Sequence, residues 1–317
     1  MKRWVILLVF LLLVGALTGA YFWYKNAGTP LRESGEEKLV EIPSGASTRE
    51  VGAKLVQEGL VRSELVFLIA ERVSGNLIQA GVYRLSPAMS LDAIVTTLAE
   101  GKVAEYILTI PEGWRVREIA QLLSEKKMLA KEEFLSLAIP KEGYLFPDTY
   151  HFPLTVTPNE IITAMRENFD TRTNDASLHL KRTDIILASI VEREAKNDEE
   201  RPKIAAVYLN RLEQGMRLEA DPTVQYAKTL VDSSISDPWP KITVDDYRSV
   251  NSPYNTYVND GLPPGPICNP GLASLKAVLS PASTQDLYFF HTSDGQTIFS
   301  KTLEEHNAKK LQYNLAI

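Results

Sequence analysis

Cysteine is almost missing from this chain: Cys268 stands alone, so no intramolecular disulfide can form and cysteine usage does not identify the compartment. No cysteine follows the N-terminal apolar run either, which excludes an N-terminal lipoprotein anchor, and Cys268 is expected as a small buried thiol in a loop. Histidine is scarce too. His151, His179, His291 and His306 lie far apart and form no H-E-x-x-H or comparable ligand pair, so neither a metal nor another cofactor is expected. A basic excess is also absent. With a formal net charge of -6 the chain lacks the concentration of Lys and Arg that nucleic acid phosphates require. What remains, 44% hydrophobic and 23% charged residues over 317 positions, is an ordinary folded composition with room for two modest domains.

From Trp4 to Tyr24 no residue is charged, and at about 1.5 Å per residue that stretch reaches roughly 30 Å, enough to cross a bilayer core. Lys2 and Arg3 precede it. Cytoplasmic flanks favour basic residues, so the N-terminus is expected inside and everything beyond Tyr24 outside, although Lys25 and Arg32 weaken the asymmetry. Tyr21 to Tyr24 then form an aromatic belt at the outer interface. Residues 1–25 are thus read as the cytoplasmic tip and transmembrane helix of a single-pass inner-membrane protein whose bulk is periplasmic. A cleaved signal peptide is the rival, opposed by the long apolar run and by the poor cleavage site Thr18-Gly19-Ala20. Residues 26–38 are polar, carry Gly28, Pro30 and Gly35, and read as a tether.

Ile42-Pro43-Ser44-Gly45, followed by Arg49-Glu50, is echoed by Ile110-Pro111-Glu112-Gly113 and Arg117-Glu118. The echo continues without a gap through Leu55 and Leu123, Glu64 and Glu132, and Ala70 and Ala138. This is an internal duplication. Each copy offers a short strand, a Pro-Gly turn and two helices. In the first, Gly81 to Leu85 alternates as a returning strand, and the resulting strand-helix-helix-strand order resembles the LysM module, a small peptidoglycan-binding unit. A generic packing unit without a ligand fits the same pattern. The fold class expected is α+β: the transmembrane helix, LysM-like α/β modules over residues 39–158, then a mixed, mainly helical domain with a small β-sheet over residues 159–317. In that last domain helices are expected over Glu160–Phe169, Thr183–Lys196, Glu200–Gln214 and Leu272–Leu279, with paired strands around Asp294-Gly295.

The helix from Thr183 carries two glutamates, and at 100° per residue Glu192 and Glu194 point about 200° apart. Only one can serve a given site. Glu192 has Lys196 four residues on, which suits a solvated surface pair. Glu194 continues the stripe of Leu187, Ile190 and Val191, so its carboxyl is expected among apolar neighbours, where partial desolvation favours the protonated form that a general acid needs. A cap on a buried backbone group, or a pair with Arg211, explains Glu194 equally well from periodicity alone. Asp221 before Pro222 reads as a helix N-cap, with Asp221 and Gln225 as candidate cleft residues. The long loop with Tyr254, Asn255, Thr256 and Tyr257, then Gly261-Leu262-Pro263-Pro264-Gly265, has residue types suited to stacking on sugar rings and hydrogen-bonding them.

Several segments in one order, Val191-Glu192-Arg193-Glu194, Asn210-Arg211-Leu212, Asp221-Pro222-Thr223-Val224, Tyr254-Asn255-Thr256-Tyr257 and Glu142-Gly143-Tyr144-Leu145-Phe146-Pro147 among them, make the chain resemble the YceG-like endolytic murein transglycosylases, the MltG family. The resemblance spans nearly the whole chain. It implies cleavage of the β-1,4 bond between N-acetylmuramic acid and N-acetylglucosamine within nascent glycan strands, leaving 1,6-anhydro ends, with Glu194 as acid and then base. It further implies that Tyr254, Asn255, Thr256 and Gln225 hold the sugars, that Asp221 and Arg211 orient the site, and that peptidoglycan synthases are partners. Two departures stand out: Leu218-Glu219-Ala220-Asp221 differs from the usual Leu-Gln-Thr/Ser-Asp, and Gln296-Thr297-Ile298-Phe299 lacks a histidine often seen there. The rivals are a hydrolytic muramidase, a non-catalytic wall-binding scaffold, and an aminodeoxychorismate lyase. The last needs a pyridoxal phosphate lysine and a cytoplasmic site, which the apolar N-terminal segment opposes.

Overall fold

The structure is a computed structural model that describes residues 2–315. Two compact units are present, Met1–Ile107 with His151–Thr155, and Leu108–Tyr150 with Val156–Ile317. The first begins with helix α1 (Lys2–Ala27), whose Leu7–Ala27 stretch is strongly apolar and mostly clear of the rest of the protein, with Tyr24 and Ala27 at its end packed on the core of the first unit. It is long and apolar enough to cross a membrane. The following segment is less free than a tether: Leu31 and Arg32 N–H donate to the Pro87 carbonyl, and the Arg62 guanidinium donates to the carbonyls of Asn26, Thr29 and Pro30.

Strand β1 (Lys38–Ile42), helices α2 (Thr48–Gln57) and α3 (Glu64–Ser74), and strand β2 (Gly81–Leu85) follow, with β1 antiparallel to β2 in the register Val40 to Tyr83. Alternation sends Val40, Ile42, Tyr83 and Leu85 to one face, where Val51, Leu55 and Phe67 of the helices cover them. Helix α4 (Leu91–Ala99) closes that core, and its Ser90 N-cap accepts from Ala93 N–H.

The duplication persists in three dimensions. Strand β3 (Glu105–Thr109), helices α5 (Val116–Glu125) and α6 (Lys131–Ala138), and strand β4 (Thr149–Pro153) repeat the order, and α5 and β4 lie at the same shift from their counterparts (48 to 116, 81 to 149). Matched glutamates do the same work: Glu50 accepts from Ser47 N–H at 2.7 Å and Glu118 from Arg115 N–H at 3.0 Å, each satisfying a free donor at a helix start. The LysM likeness itself is not established by this order.

The compact units divide elsewhere than at residue 158, because most of the second copy packs with the C-terminal elements. Asn269 explains why. Its side-chain oxygen accepts from Gly143 and Leu145 N–H, its amide donates to the Trp114 carbonyl and to Glu142, and its backbone exchanges bonds with Gly113 and Trp114. The Glu142 carboxyl, which also accepts from Val116 N–H at 2.9 Å, is enclosed by protein, and burial pushes its pKa from 4.5 to about 8. The folded chain therefore holds this proton more tightly than the unfolded chain does, so stability is lost as pH rises from about 4.5 to about 8 and then levels off. Glu142→Gln is expected to flatten that loss: the melting temperature of the variant relative to the parent should climb between pH 5 and pH 9, followed by calorimetry.

The rest of the second unit is mainly helical: α7 (Pro158–Asp175), α8 (Arg182–Glu194), α9 (Arg201–Glu213), α10 (Asp221–Val231), the short α11 (Asp246–Ser249), α12 (Leu272–Leu279), the hairpin β5 (Tyr288–His291) and β6 (Thr297–Ser300), and α13 (Leu303–Gln312). Helix α8 is buried from Ile185 to Glu192, and α9 and α12 pack against it. A core helix of that kind needs apolar residues on nearly every face, as Ile185-Ile186-Leu187-Ala188 supplies.

Two expectations about α8 need correction. The helix stops at Glu194, because Ala195 is extended, so Lys196 is not on the next turn of a helix and the expected surface pair with Glu192 does not form. Glu192 is buried instead. It pairs with Arg201 at 3.0 Å and accepts from Ser274 Oγ at 2.8 Å and Gly271 N–H at 3.0 Å. Cys268 is buried as expected, with its thiol on the Ser189 carbonyl, and burial pushes its pKa well up.

Candidate functional site

Glu194 is the last residue of α8, and the stripe that began at Leu187 carries its carboxyl to the wall of a cleft of about 450 Å³, within the usual range for small-molecule sites. Its side chain is 12% exposed, enough for a ligand to reach it. Tyr208, on the neighbouring α9, donates its hydroxyl to Glu194 Oε1 at 2.9 Å. Burial, with the charge of Glu194 beside it, raises the Tyr208 phenol well above its ordinary range, so it stays a donor. On the other side His291 Nε2 lies 3.8 Å from Glu194 Oε2. The Glu194 carboxyl thus has one oxygen held by a phenol and the other facing an imidazole.

Across the cleft Asp221 begins α10 as its first residue, with Ala220 rather than Asp221 as the N-cap. Its carboxylate is therefore free to accept from Tyr257 at 2.6 Å and from Tyr247 at 3.5 Å. Those two rings stack with centroids 4.1 Å apart and 16° between planes, forming a flat aromatic wall. Burial and the Asp221 charge push the Tyr257 phenol far up, which keeps it a donor.

The remaining expected residues divide into wall and scaffold. Arg211 lines the cleft, but its guanidinium is spent on the carbonyls of Leu287, Arg217 and Leu218 and on Glu219 rather than on Glu194. Glu219 holds a left-handed φ of 51°, a strained backbone for a residue with a side chain, beside the site. Asn255 and Thr256 are fully buried. Asn255 donates to the Tyr247 and Val250 carbonyls and accepts from Tyr257 N–H, while Thr256 bonds to Thr223 and to Ala220 N–H, so both set the aromatic wall without lining the cleft. Tyr254 packs on Tyr226 at 4.8 Å behind that wall, and Gln225 donates to the Pro240 carbonyl at 3.1 Å; neither lines the cleft.

Sequence reasoning missed Tyr208, Tyr247 and His291. Tyr208 carried a signal only once α8 and α9 were known to pack side by side. His291 sits directly opposite Thr297 in the β5–β6 ladder, so the segment that lacks the expected histidine faces one across the hairpin. A roomier cavity of about 660 Å³ lies between α5 and residues 233–238. There Arg117 and Lys131 are interspersed with Glu118, Glu125 and Asp237, a mixed polar surface without the held carboxyl of the Glu194 cleft, so chemistry rather than size selects the site.

The profile of a family described as YceG-like matches residues 40–312. A Bacillus subtilis protein named endolytic murein transglycosylase is 33% identical over 93% of this chain and 90% of its own length. A Streptococcus pneumoniae protein of the same name is 30% identical over 95% of this chain and 63% of its own length. A crystal structure described as a yceG-like protein from Listeria monocytogenes is similar at 35% identity, with a TM-score of 0.55 over 86% of this chain and 98% of that one.

Proposed function

The chain belongs to the YceG-like family, and on that footing we propose that it is a membrane-anchored lytic transglycosylase that cuts peptidoglycan glycan strands internally and leaves 1,6-anhydromuramic ends. The observation that carries the reading is the Glu194 carboxyl, held by Tyr208 on the wall of an open cleft whose other carboxylates, Asp221 and Glu219, are engaged by Tyr257 and Arg211. Ordinary glycosidases use two carboxylates, the second to act on water or on the anomeric carbon. One suffices when the substrate brings its own nucleophile. Protonated Glu194 gives its proton to the bridging oxygen, the muramyl 6-hydroxyl closes on the anomeric carbon, and the vacated carboxylate is the final home of the hydroxyl proton. Because the attacking group is already attached, the entropic barrier of bringing in a second reactant largely disappears.

The Tyr247–Tyr257 wall offers a stacking surface for a sugar ring, and Asp221 fixes both phenols. Helix α1 is the anchor, with Lys2 and Arg3 on the cytoplasmic side and the cleft outside. The two strand-helix-helix-strand repeats act as LysM-like glycan holders; the first has a groove of about 380 Å³ beside its Pro43 to Ala46 turn.

The test is digestion of uncrosslinked glycan strands by the detergent-solubilised full chain, with the new ends treated with borohydride. Anhydro ends resist reduction. Strands shortened from within and bearing unreducible new ends are expected; reducible ends mean a hydrolase, and unshortened strands mean a scaffold. Tyr208→Phe fills the same space without the donor and should cost roughly one to two orders of magnitude in kcat, the worth of a hydrogen bond to a charged group, with little change in melting temperature. Steady-state kinetics on the same strands check it.

A further inference from the structure

We propose that His291 is a second catalytic group of this cleft, a proton relay that takes the proton of the attacking substrate hydroxyl at Nε2 and returns it to Glu194. The assignment rests on the transglycosylase reading and deepens it. The geometry comes first. Nε2 and Glu194 Oε2 are 3.8 Å apart, too far for a direct hydrogen bond, yet one hydroxyl oxygen fits within about 2.8 Å of both. Both side chains are open to the cleft, at 24% and 12% exposure.

The hydrogen-bond chain behind His291 fixes which nitrogen is free. Nδ1 lies 2.9 Å from Thr297 Oγ1, and the same hydroxyl stabilises the charge of the Glu200 carboxylate. A carboxylate only accepts, and a threonine has one proton to give, so Thr297 donates to Glu200 and its oxygen accepts from Nδ1–H. Nitrogen Nε2 of the neutral ring is left with its lone pair toward the cleft. Glu200 is firmly an anion: burial opposes its charge, but the bonds from Thr297, Lys196 N–H and Asn197 outweigh that and hold its pKa below the ordinary range. The ring is also placed by packing. Phe289 meets it at 5.7 Å edge to face and meets Tyr208 at 5.8 Å, so one strand aligns the imidazole and the donor to Glu194 together.

The step balances. As the hydroxyl oxygen bonds to the anomeric carbon, the bond to the bridging oxygen breaks and its electron pair leaves on that oxygen, which takes the Glu194 proton. The hydroxyl proton moves to Nε2. Once product departs, the imidazolium faces the Glu194 carboxylate and hands the proton over, which restores both groups. Dividing acid and base between two side chains lets both transfers proceed in one event, where a lone carboxyl must finish giving before it can receive.

The test uses the full chain in detergent, with anhydro ends counted by mass. His291→Phe keeps ring shape and His291→Ala leaves a hole; each is expected to lower kcat about a hundredfold with KM within about threefold, and added imidazole should restore at least about a tenth of the lost rate to the alanine variant alone. A melting curve matching the parent shows the hairpin intact. Activity of His291→Phe within threefold of the parent overturns the assignment, and so does a loss in His291→Ala that imidazole does not repair. Absence of anhydro ends from the unaltered chain is a different failure, one that removes the transglycosylase reading itself.

Discussion

Glu194→Gln is expected to slow glycan cutting by the purified chain about a thousandfold, with its melting curve unchanged. The glutamine has the size of the glutamate and its carbonyl still accepts from Tyr208, so neither packing nor the hydrogen bond is lost. What disappears is the transferable proton. Every route through the cleft needs that proton on the bridging oxygen, which is why the expected loss exceeds that from any neighbour. The rate of appearance of anhydro ends measures it, and retention of more than about a tenth of the parent rate contradicts the role given to Glu194.

Two residues earlier the same type of side chain should behave in the opposite way. Glu192→Ala is expected to destabilise the fold by about 3–5 kcal/mol, because it takes from Arg201 its buried counter-charge and removes the acceptor for Ser274 and Gly271. Arg201 keeps Asp198 and Glu112 as partners, but both are exposed and replace little of the buried contact. Urea unfolding followed by circular dichroism reads the change. A drop below about 1 kcal/mol would mean that the buried Glu192 carboxylate is not what ties α8 to α9 and α12. Glu192→Ala lowers stability and Glu194→Gln lowers rate, and the contrast separates the two glutamates more clearly than either result alone.

That contrast was partly legible in the sequence. Helical geometry alone put the two glutamates on opposite faces and set Glu194 on the stripe of Leu187, Ile190 and Val191, and the structure puts its carboxyl on a cleft. The fate of Glu192 was not legible, since the partner that matters, Arg201, lies past a break in the helix that no periodicity marks, whereas Lys196 stood at the conventional spacing. The duplicated strand-helix-helix-strand order was readable because matched residues such as Glu50 and Glu118 perform matched tasks. Its packing was not, because Asn269, which ties the second copy to the C-terminal elements, sits in a proline-rich loop far along the chain. Within that loop composition named the right segment but not the right side chains. Tyr257 faces Asp221, while Asn255 and Thr256 turn inward behind it and Tyr254 packs on Tyr226, a division set by backbone turns that residue type does not report. His291 left no trace at all, since its meaning comes from the hairpin register that sets it against Thr297.

In the proposed reaction the sugar carries its own nucleophile and water takes no part in the cut. Digestion of glycan strands by the full chain in water enriched in heavy oxygen distinguishes the two nucleophiles. New muramyl ends should carry no heavy oxygen, and fragment masses should add up to the uncut strand; heavy oxygen at those ends would show that water is the nucleophile and overturn the anhydro mechanism.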